Sequence, residues 1–390
     1  MDSSKPPFGP AYGFGVYLHW PYCTRICPYC DFNVYAAKDR QTGDLFQACL
    51  TDLETQAQSL SDHPPLNSIF LGGGTPSLMS PQQIEAFISR CDSLFGLSPD
   101  CEITLEANPA NITDTNAPLW REAGVTRLSI GMQSLDDAAL EFLGRDHSSA
   151  EARRAAEIAQ RHFTSVSLDF IYARPGQSLL DWKKELSGIL TLGADHLSLY
   201  ELTIAENTAF HKQAERGQLT PLPDTLQAAM YELTGTLTQA AGLSLYEISN
   251  FARTPAHQSQ HNSIYWRSGD WLGIGPGAHG RLTNGHQRFA TEALAQPEAY
   301  IAAVKETGNG LSLSAQLSQN ETAQELLTMG LRPSQGIELS RIENLLDASL
   351  PASTLDHLQD GGWLIMPGGK ITLTPAGRLL ADRVALELLS

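Results

Sequence analysis

An α/β fold with a parallel sheet follows from three features of the 390-residue sequence. Short apolar runs rich in β-branched residues recur six times at intervals of roughly 30–40 residues, each followed by a turn and an amphipathic stretch. Polar residues of chemical interest gather at the carboxyl ends of these runs. The last eighty residues change character, to helices followed by a two-stranded ribbon. A complete (β/α)8 barrel usually takes about 250 residues. Val16 to about Leu202 supplies six units. The expected architecture is therefore a partial (β/α)6, TIM-like barrel with a C-terminal helical, winged-helix-like domain.

In chain order, residues 1–15 form an N-terminal segment, 16–250 the barrel, 251–310 a connecting segment and 311–390 the C-terminal domain. The expected strands are 16–20, 68–72, 102–106, 127–132, 166–172 and 196–202. Helical periodicity fills 44–60, 81–95, 114–123, 150–162 and 179–192. Thr113 or Asp114 suits a helix cap, and Pro81 suits a first helical turn after Ser80. Beyond Gly193 the pattern loosens to a helix at 224–241 and a strand-like run at 243–249. The stretch HNSIYWRSGDWLGIGPGAHG, residues 261–280, reads as a loop or hairpin that covers something. Helices at 321–329, 339–346 and 352–359 then lead to a ribbon of 363–366 and 370–374, turned at 367–369, and a final helix at 375–389.

The formal net charge is −17 and the pI about 5.0, a field that repels phosphate backbones, so no nucleic-acid partner is expected. Residues 311–390 carry five Lys and Arg against nine Asp and Glu, which disfavours DNA binding by a winged module. No apolar stretch approaches the ~18 residues of a membrane span, so direct membrane insertion is not expected. The first residues lack a basic region followed by an apolar core, and a cytoplasmic location is expected.

Three of the six cysteines, Cys23, Cys27 and Cys30, follow the first strand in C-x3-C-x2-C spacing. Three thiolates on one loop suit three corners of an iron–sulfur cube, leaving one iron open to a small molecule. Two other readings compete. Cys27-Pro28-Tyr29-Cys30 has the form of a thiol–disulfide redox motif, and zinc would take His19 as its fourth ligand. Cys49, Cys91 and Cys101 lie apart and read as structural thiols.

The second strand ends in Gly72-Gly73-Gly74-Thr75-Pro76, where a ligand can approach the backbone and meet free N–H groups. Glu106 ends the third strand, Gln133 the fourth, and Asp169 lies in the outgoing half of the fifth; Arg145 follows the fourth unit. Parallel strands bring these to one rim. Together they offer acceptors for ribose hydroxyls and an ammonium, and a cation for a carboxylate, all groups of S-adenosylmethionine (SAM).

CTRICPYC, the GGGTP run, LEANP (105–109), SIGMQS (129–134), LGRDH (143–147) and SLDFIYARPGQ (167–177) resemble the radical SAM superfamily, in its oxygen-independent coproporphyrinogen oxidase branch. The resemblance covers nearly the whole chain and makes the barrel a radical SAM barrel. It implies a [4Fe–4S] cluster on Cys23, Cys27 and Cys30. It also implies cofactor contacts at Tyr17, Gly73, Gly74, Thr75, Glu106, Gln133, Arg145 and Asp169. The oxidases carry a fourth cysteine two residues after the third; here that position is Phe32. This form, with His261-Asn262-Ser263-Ile264-Tyr265-Trp266 matching an H-N-x-x-Y-W signature, is similar to the HemW family of haem chaperones. That likeness implies haem contact at His261 and delivery of haem to respiratory or other client haem proteins, and leaves room for a homodimer. It makes oxidase catalysis an alternative, with radical chemistry on another substrate a third option. A neutral imidazole is a good iron ligand, and His257, His279 and His286 are candidate second ligands. The opposing reading of the segment is a hairpin whose aromatics fill the groove between two domains. Where the family usually has GLP, Ala173-Arg174-Pro175 puts a guanidinium near the rim.

Overall fold

The computed structural model describes residues 6–37, 42–60 and 63–389. The first five residues of the N-terminal segment lie outside that range. Six parallel strands stand side by side in chain order: β1 (Phe14–Trp20), β2 (Leu66–Gly73), β3 (Leu97–Ala107), β4 (Arg127–Gln133), β5 (Ser165–Tyr172) and β6 (His196–Glu201). Most of their residues are buried on both faces, as in sheets covered by crossover helices. The crossovers are Thr42–Gln58, Pro81–Phe95, Asn116–Glu122, Ser149–His162 and Leu179–Leu190. Ser80, Ser148 and Ser178 each close a capping box with the third helical residue, and Pro81 takes the first helical position. Near Asn116 the capping hydroxyl is Thr113, which accepts from the Thr115 and Asn116 amides.

The segment 261–280 departs from expectation only in its first half. Its second half opens a hairpin, strand 270–274 turning back into antiparallel 279–284. Gln260–Trp266 is a helix, and β7 (Asp270–Ile274) pairs in parallel with β1, Phe14 opposite Asp270. Short apolar content between glycines hid this strand, because Gly273 and Gly275 read as breakers while their missing side chains let other backbone approach. Antiparallel strands His279–Asn284, Gln287–Ala293 and Leu311–Gln316 extend the sheet beyond β7. At the other side, β6 is followed in the sheet by Asn250–Ala252 and Ser244–Leu245, so the expected 243–249 strand is only two residues long. The twelve strands end at two separate edges and the barrel stays open.

The C-terminal region has its own apolar core, including Leu326, Ile342, Leu358, Ile371 and Val384. Helices Gln319–Gly330, Leu339–Leu346 and Ala352–Asp360 surround a three-stranded antiparallel sheet of Ile337–Glu338, Lys370–Leu373 and Leu364–Ile365. The expected final helix breaks into Pro375–Arg378 and Ala381–Leu388.

Arg288 ties this region to the extended sheet. Its guanidinium, 1% exposed, meets Asp270 at 3.0 Å and Glu325 at 3.3 Å and donates to the Gly269 carbonyl. Truncating one member of a buried ion network leaves the other charges uncompensated. Arg288→Ala should therefore lower unfolding stability by about 3–5 kcal/mol, read from the urea midpoint. An unchanged midpoint would mean that this network does not hold the two regions together.

Candidate functional site

A cavity of about 550 Å³ occupies the barrel interior. Side chains alternate across a strand, so every second residue points inward. The lining follows that rule: Ser129, Gly131 and Gln133 from β4, Ser167 and Asp169 from β5, His196, Ser198 and Tyr200 from β6. Register places Ser129 beside Ser167, Gly131 beside Asp169, and Asp169 beside Ser198. All the implied cofactor contacts, Tyr17, Gly73, Gly74, Thr75, Glu106, Gln133, Arg145 and Asp169, line this one cavity with the three cysteines and His261.

The cysteine loop is clipped at several points. Tyr22–Cys23 pairs with Tyr35–Ala36, and the Ala37 amide donates to the Cys23 carbonyl at 2.8 Å. The Phe210 amide holds the Pro28 carbonyl at 2.9 Å, and Arg145 donates to the Cys27 sulfur at 3.3 Å. Burial pushes the Cys23 thiol up, and pushes Cys30 to about 11. Thiols in such surroundings ionise readily only toward a metal group. Three cysteines around one cavity, with an arginine against one sulfur, fit an iron–sulfur group. His19 does not complete a zinc set. Its Nε2 lies 2.9 Å from the Asn33 carbonyl, which can only accept, so Nδ1 is the nitrogen left to accept from the Tyr17 hydroxyl at 2.9 Å. Both ring nitrogens are engaged. Cys49 and Cys91 are buried apart from this cavity, as expected, whereas Cys101 is only half-buried.

At the glycine run the structure revises one expectation. The Gly73 amide donates to Glu106 Oε2 at 3.1 Å, Gly74 to the Trp20 carbonyl and Thr75 to the Tyr22 carbonyl. Their N–H groups are thus committed to the protein. What the run supplies is room: Gly73 has φ +107°, and a Cβ there would stand 2.7 Å from the His19 ring. The Gln133 backbone is also left-handed, φ +65°, where β4 slips register against β5. Its amide folds back to within 2.8 Å of where a Gly131 Cβ would be.

Arg145 donates to Asn108 Oδ1 and the Gly131 carbonyl, but its Nε is buried without a protein partner. That orphan donor suits a carboxylate. Glu106 is pushed up to about 8 by burial first and then by the nearby Asp169. An ammonium brought beside it would draw the carboxyl back toward its charged form. Asp169 accepts from Ser129 at 2.7 Å and Ser167 at 2.7 Å. Ser167 continues to His196 Nδ1 at 2.8 Å, and His196 Nε2 to the Tyr246 hydroxyl at 2.9 Å. The serine layer and His196 were missed by motif reading; polar residues at alternate positions of buried strands were the available signal.

His261 lies at the far end of this interior. Its Nδ1 meets Ser68 Oγ at 2.7 Å and its Nε2 the Tyr265 hydroxyl at 2.7 Å, and 1% of the residue is exposed. Burial pushes it down to about 3, so the ring is neutral. Ser68 precedes Gly73 by five residues, about 17 Å of strand. The Gln260 and His261 amides donate to Glu102, which pins the helix to β3. Tyr265 faces the cavity, while Trp266 lies under the Arg332 guanidinium at 4.8 Å. His257, His279 and His286 do not line the cavity, and Arg174 turns to Glu185 and the Ile171 carbonyl.

Two outcomes follow from this geometry. A raised carboxyl favours the folded state while it keeps its proton, so the Glu106 contribution is complete below about 4.5, falls as pH rises, and is gone above about 8. The slope is at most about 1.4 kcal/mol per pH unit. Glu106→Gln, assayed by urea unfolding of the cofactor-free chain at several pH values, should flatten that fall; equal slopes for both proteins would refute the raised pKa. Ala at Cys23, Cys27 or Cys30 should abolish iron and sulfide retention after anaerobic reconstitution, while Cys49→Ala should retain both. Retention by the Cys30 variant would move the ligand elsewhere.

Comparison with known proteins gives the family. The Radical SAM superfamily profile matches residues 17–187, and the HemN C-terminal domain profile residues 317–380. The chain is 37% identical over 404 residues to the bovine mitochondrial "Radical S-adenosyl methionine domain-containing protein 1", covering 100% of this chain and 91% of that protein. It is 36% identical over 386 residues to "Heme chaperone HemW" of Mycobacterium tuberculosis, covering 97% and 96%. The corresponding Bacillus subtilis protein is 32% identical over 377 residues, covering 95% and 97%. Among solved structures, coproporphyrinogen III oxidase (HemN) from Escherichia coli aligns with a TM-score of 0.81 at 20% identity, covering 99% of this chain and 91% of that one, a likeness of fold. With its motif residues gathered around one cavity and its kinship running the length of the chain, the protein belongs to the radical SAM superfamily, in the HemW-type branch.

Proposed function

We propose that the chain is a haem chaperone, which binds haem and passes it to client haem proteins, respiratory ones among them. It would carry a [4Fe–4S] cluster on Cys23, Cys27 and Cys30 and SAM in the cavity behind it. The observation that carries this reading is the 36% identity, over 97% of the chain, to a protein named as a haem chaperone, against 20% to the oxidase of the same fold. Phe32 supports it, since the oxidases carry a cysteine at that position. A bound cluster would supply an electron to a sulfonium held beside it. The chain's part is placement: Glu106 receives the ammonium, the Arg145 Nε the carboxylate, and Asp169 the ribose hydroxyls. Tyr17, Gly73, Gly74, Thr75 and Gln133 shape the walls around that cofactor.

Haem ligation by His261 is part of this reading and carries a structural condition. Tyr265 must give up Nε2, and the helix must swing away from Glu102, before the ring can meet an iron. No described helix is long and apolar enough to cross a membrane. A cytoplasmic setting belongs to the proposal, although animal relatives carry a mitochondrial name.

One preparation tests the reading against oxidase activity. Reconstituted chain given SAM, reductant and coproporphyrinogen III should form no protoporphyrinogen. The same protein should give a Soret band on haem titration and transfer that haem to an apo-haem protein. Turnover of coproporphyrinogen would overturn the chaperone reading in favour of the oxidase.

A further inference from the structure

We infer that His196 and Tyr246 are positioning residues of the cofactor site, holding Asp169 for the ribose hydroxyls of SAM from the cap of the His261 helix. This role rests on the cofactor and haem readings above and joins them. In consequence, SAM at Asp169 and haem at His261 oppose each other.

The hydrogen bonds between these groups have fixed ends. At one end the Ser259 amide, which can only donate, meets the Tyr246 hydroxyl at 3.2 Å. At the other the Ser167 hydroxyl donates to Asp169 Oδ1 at 2.7 Å. Ser167 has one hydrogen to give, so its oxygen accepts from His196 Nδ1 at 2.8 Å and from Ser198 at 3.2 Å. Burial pushes the His196 imidazole well below its usual range, so the ring carries a single proton. That proton is on Nδ1, and Nε2 accepts from the Tyr246 hydroxyl at 2.9 Å. Every hydrogen along the line points toward Asp169. The reverse order would leave the Tyr246 hydroxyl hydrogen without an acceptor.

Asp169 needs that support. Burial pushes its carboxyl up, while donation from Ser129, Ser167 and Ser198 and the charge of Arg127 on β4 oppose the rise. Arg127 itself donates to Ser165 and the His257 carbonyl, not to Asp169. Glu106 on β3 and the Tyr200 phenol on β6 are the other titratable groups that feel its charge. Ribose hydroxyls donate, and an ionised carboxylate turned to a fixed angle can receive two of them.

The other end moves. Ser259 caps the His261 helix through the Asn262 amide, and Glu102 grips the Gln260 and His261 amides. The release that frees His261 for an iron carries Ser259 away from Tyr246. Tyr246 stays, because its backbone pairs with Asn250 and Ser334. Its hydroxyl then loses the donor behind it, and the line polarises Asp169 less. Linkage makes the effect reciprocal.

The test is equilibrium dialysis of labelled SAM against the cluster-loaded full chain under nitrogen, at several pH values, with and without haemin. His196→Leu should weaken SAM about tenfold, whereas His196→Asn, whose amide nitrogen can replace Nδ1, should stay within about threefold of the parent. On acidification His196→Leu should lose SAM at a higher pH than the parent, because Asp169 takes up its proton sooner. A role in packing alone would lower affinity equally at every pH and would overturn the positioning role. Saturating haemin should weaken SAM about fivefold in the parent and leave Tyr246→Phe unchanged. If His196→Leu does not fold, Tyr246→Phe, which keeps the ring, decides by its own SAM affinity, expected about threefold weaker. Variants that bind SAM like the parent would overturn the inference and leave the cofactor site standing. Equal SAM affinity with and without haemin, in a parent that shows a Soret band, would overturn the opposition. A parent that binds no SAM would remove the cofactor reading and the inference together.

Discussion

Two carboxyl groups, Glu106 and Asp169, share one largely buried cavity, and much of the surrounding structure answers to that constraint. Close carboxylates in a poorly solvated space cannot both ionise cheaply. The structure separates their roles. Asp169 is surrounded by hydroxyl donors, Ser129 and Ser167. Behind Ser167 the hydrogen bonds run from the Ser259 amide to Tyr246, then His196, then back to Ser167. Burial pushes the Asp169 carboxyl up, and each group in this chain can donate in its direction, which opposes that rise. Glu106 has one backbone donor from Gly73 and remains the protonated partner. A cationic ligand would reverse that balance, which is why the pair suits an ammonium-bearing molecule.

The same dipole chain links the cavity to the His261 helix, because Ser259 is both its last member and the helix cap. Glu102 grips the first two amides of that helix, and Ser68 and Tyr265 hold the imidazole. An H-N-x-x-Y-W segment is thus integrated into the floor of the barrel. Its aromatic residues divide the work: Tyr265 toward the interior and Trp266 toward Arg332 of the C-terminal region. The position explains the charge state as well, since a ring so thoroughly buried has no reason to protonate near neutrality.

How far the sequence could be read depended on the range of the information each feature needs. Period-2 apolar runs between capped helices are local, and so β1 to β6 and their crossovers were legible. The rim carrying the cysteines, Glu106, Gln133, Arg145 and Asp169 was legible too, because parallel order alone aligns strand ends. What escaped reading was non-local. β7 is short, glycine-flanked and separated from its partner β1 by most of the chain. The commitment of the Gly73, Gly74 and Thr75 amides depends on neighbours in other strands and loops. His261 carried a ligand's residue type, but burial, which pattern does not report, set its surroundings.

The pairing of Phe14 with Asp270 also bears on how the molecule assembles. β1 leads straight into the cysteine loop, yet one of its flanks stays bare until the last third of the chain has emerged. Contacts this distant in sequence are slow to form, and an unpaired strand edge is prone to wrong associations while it waits. The cysteine loop therefore reaches the setting described above only after translation has passed β7. Truncations ahead of that point would leave a metal-binding loop hanging from an unfinished sheet.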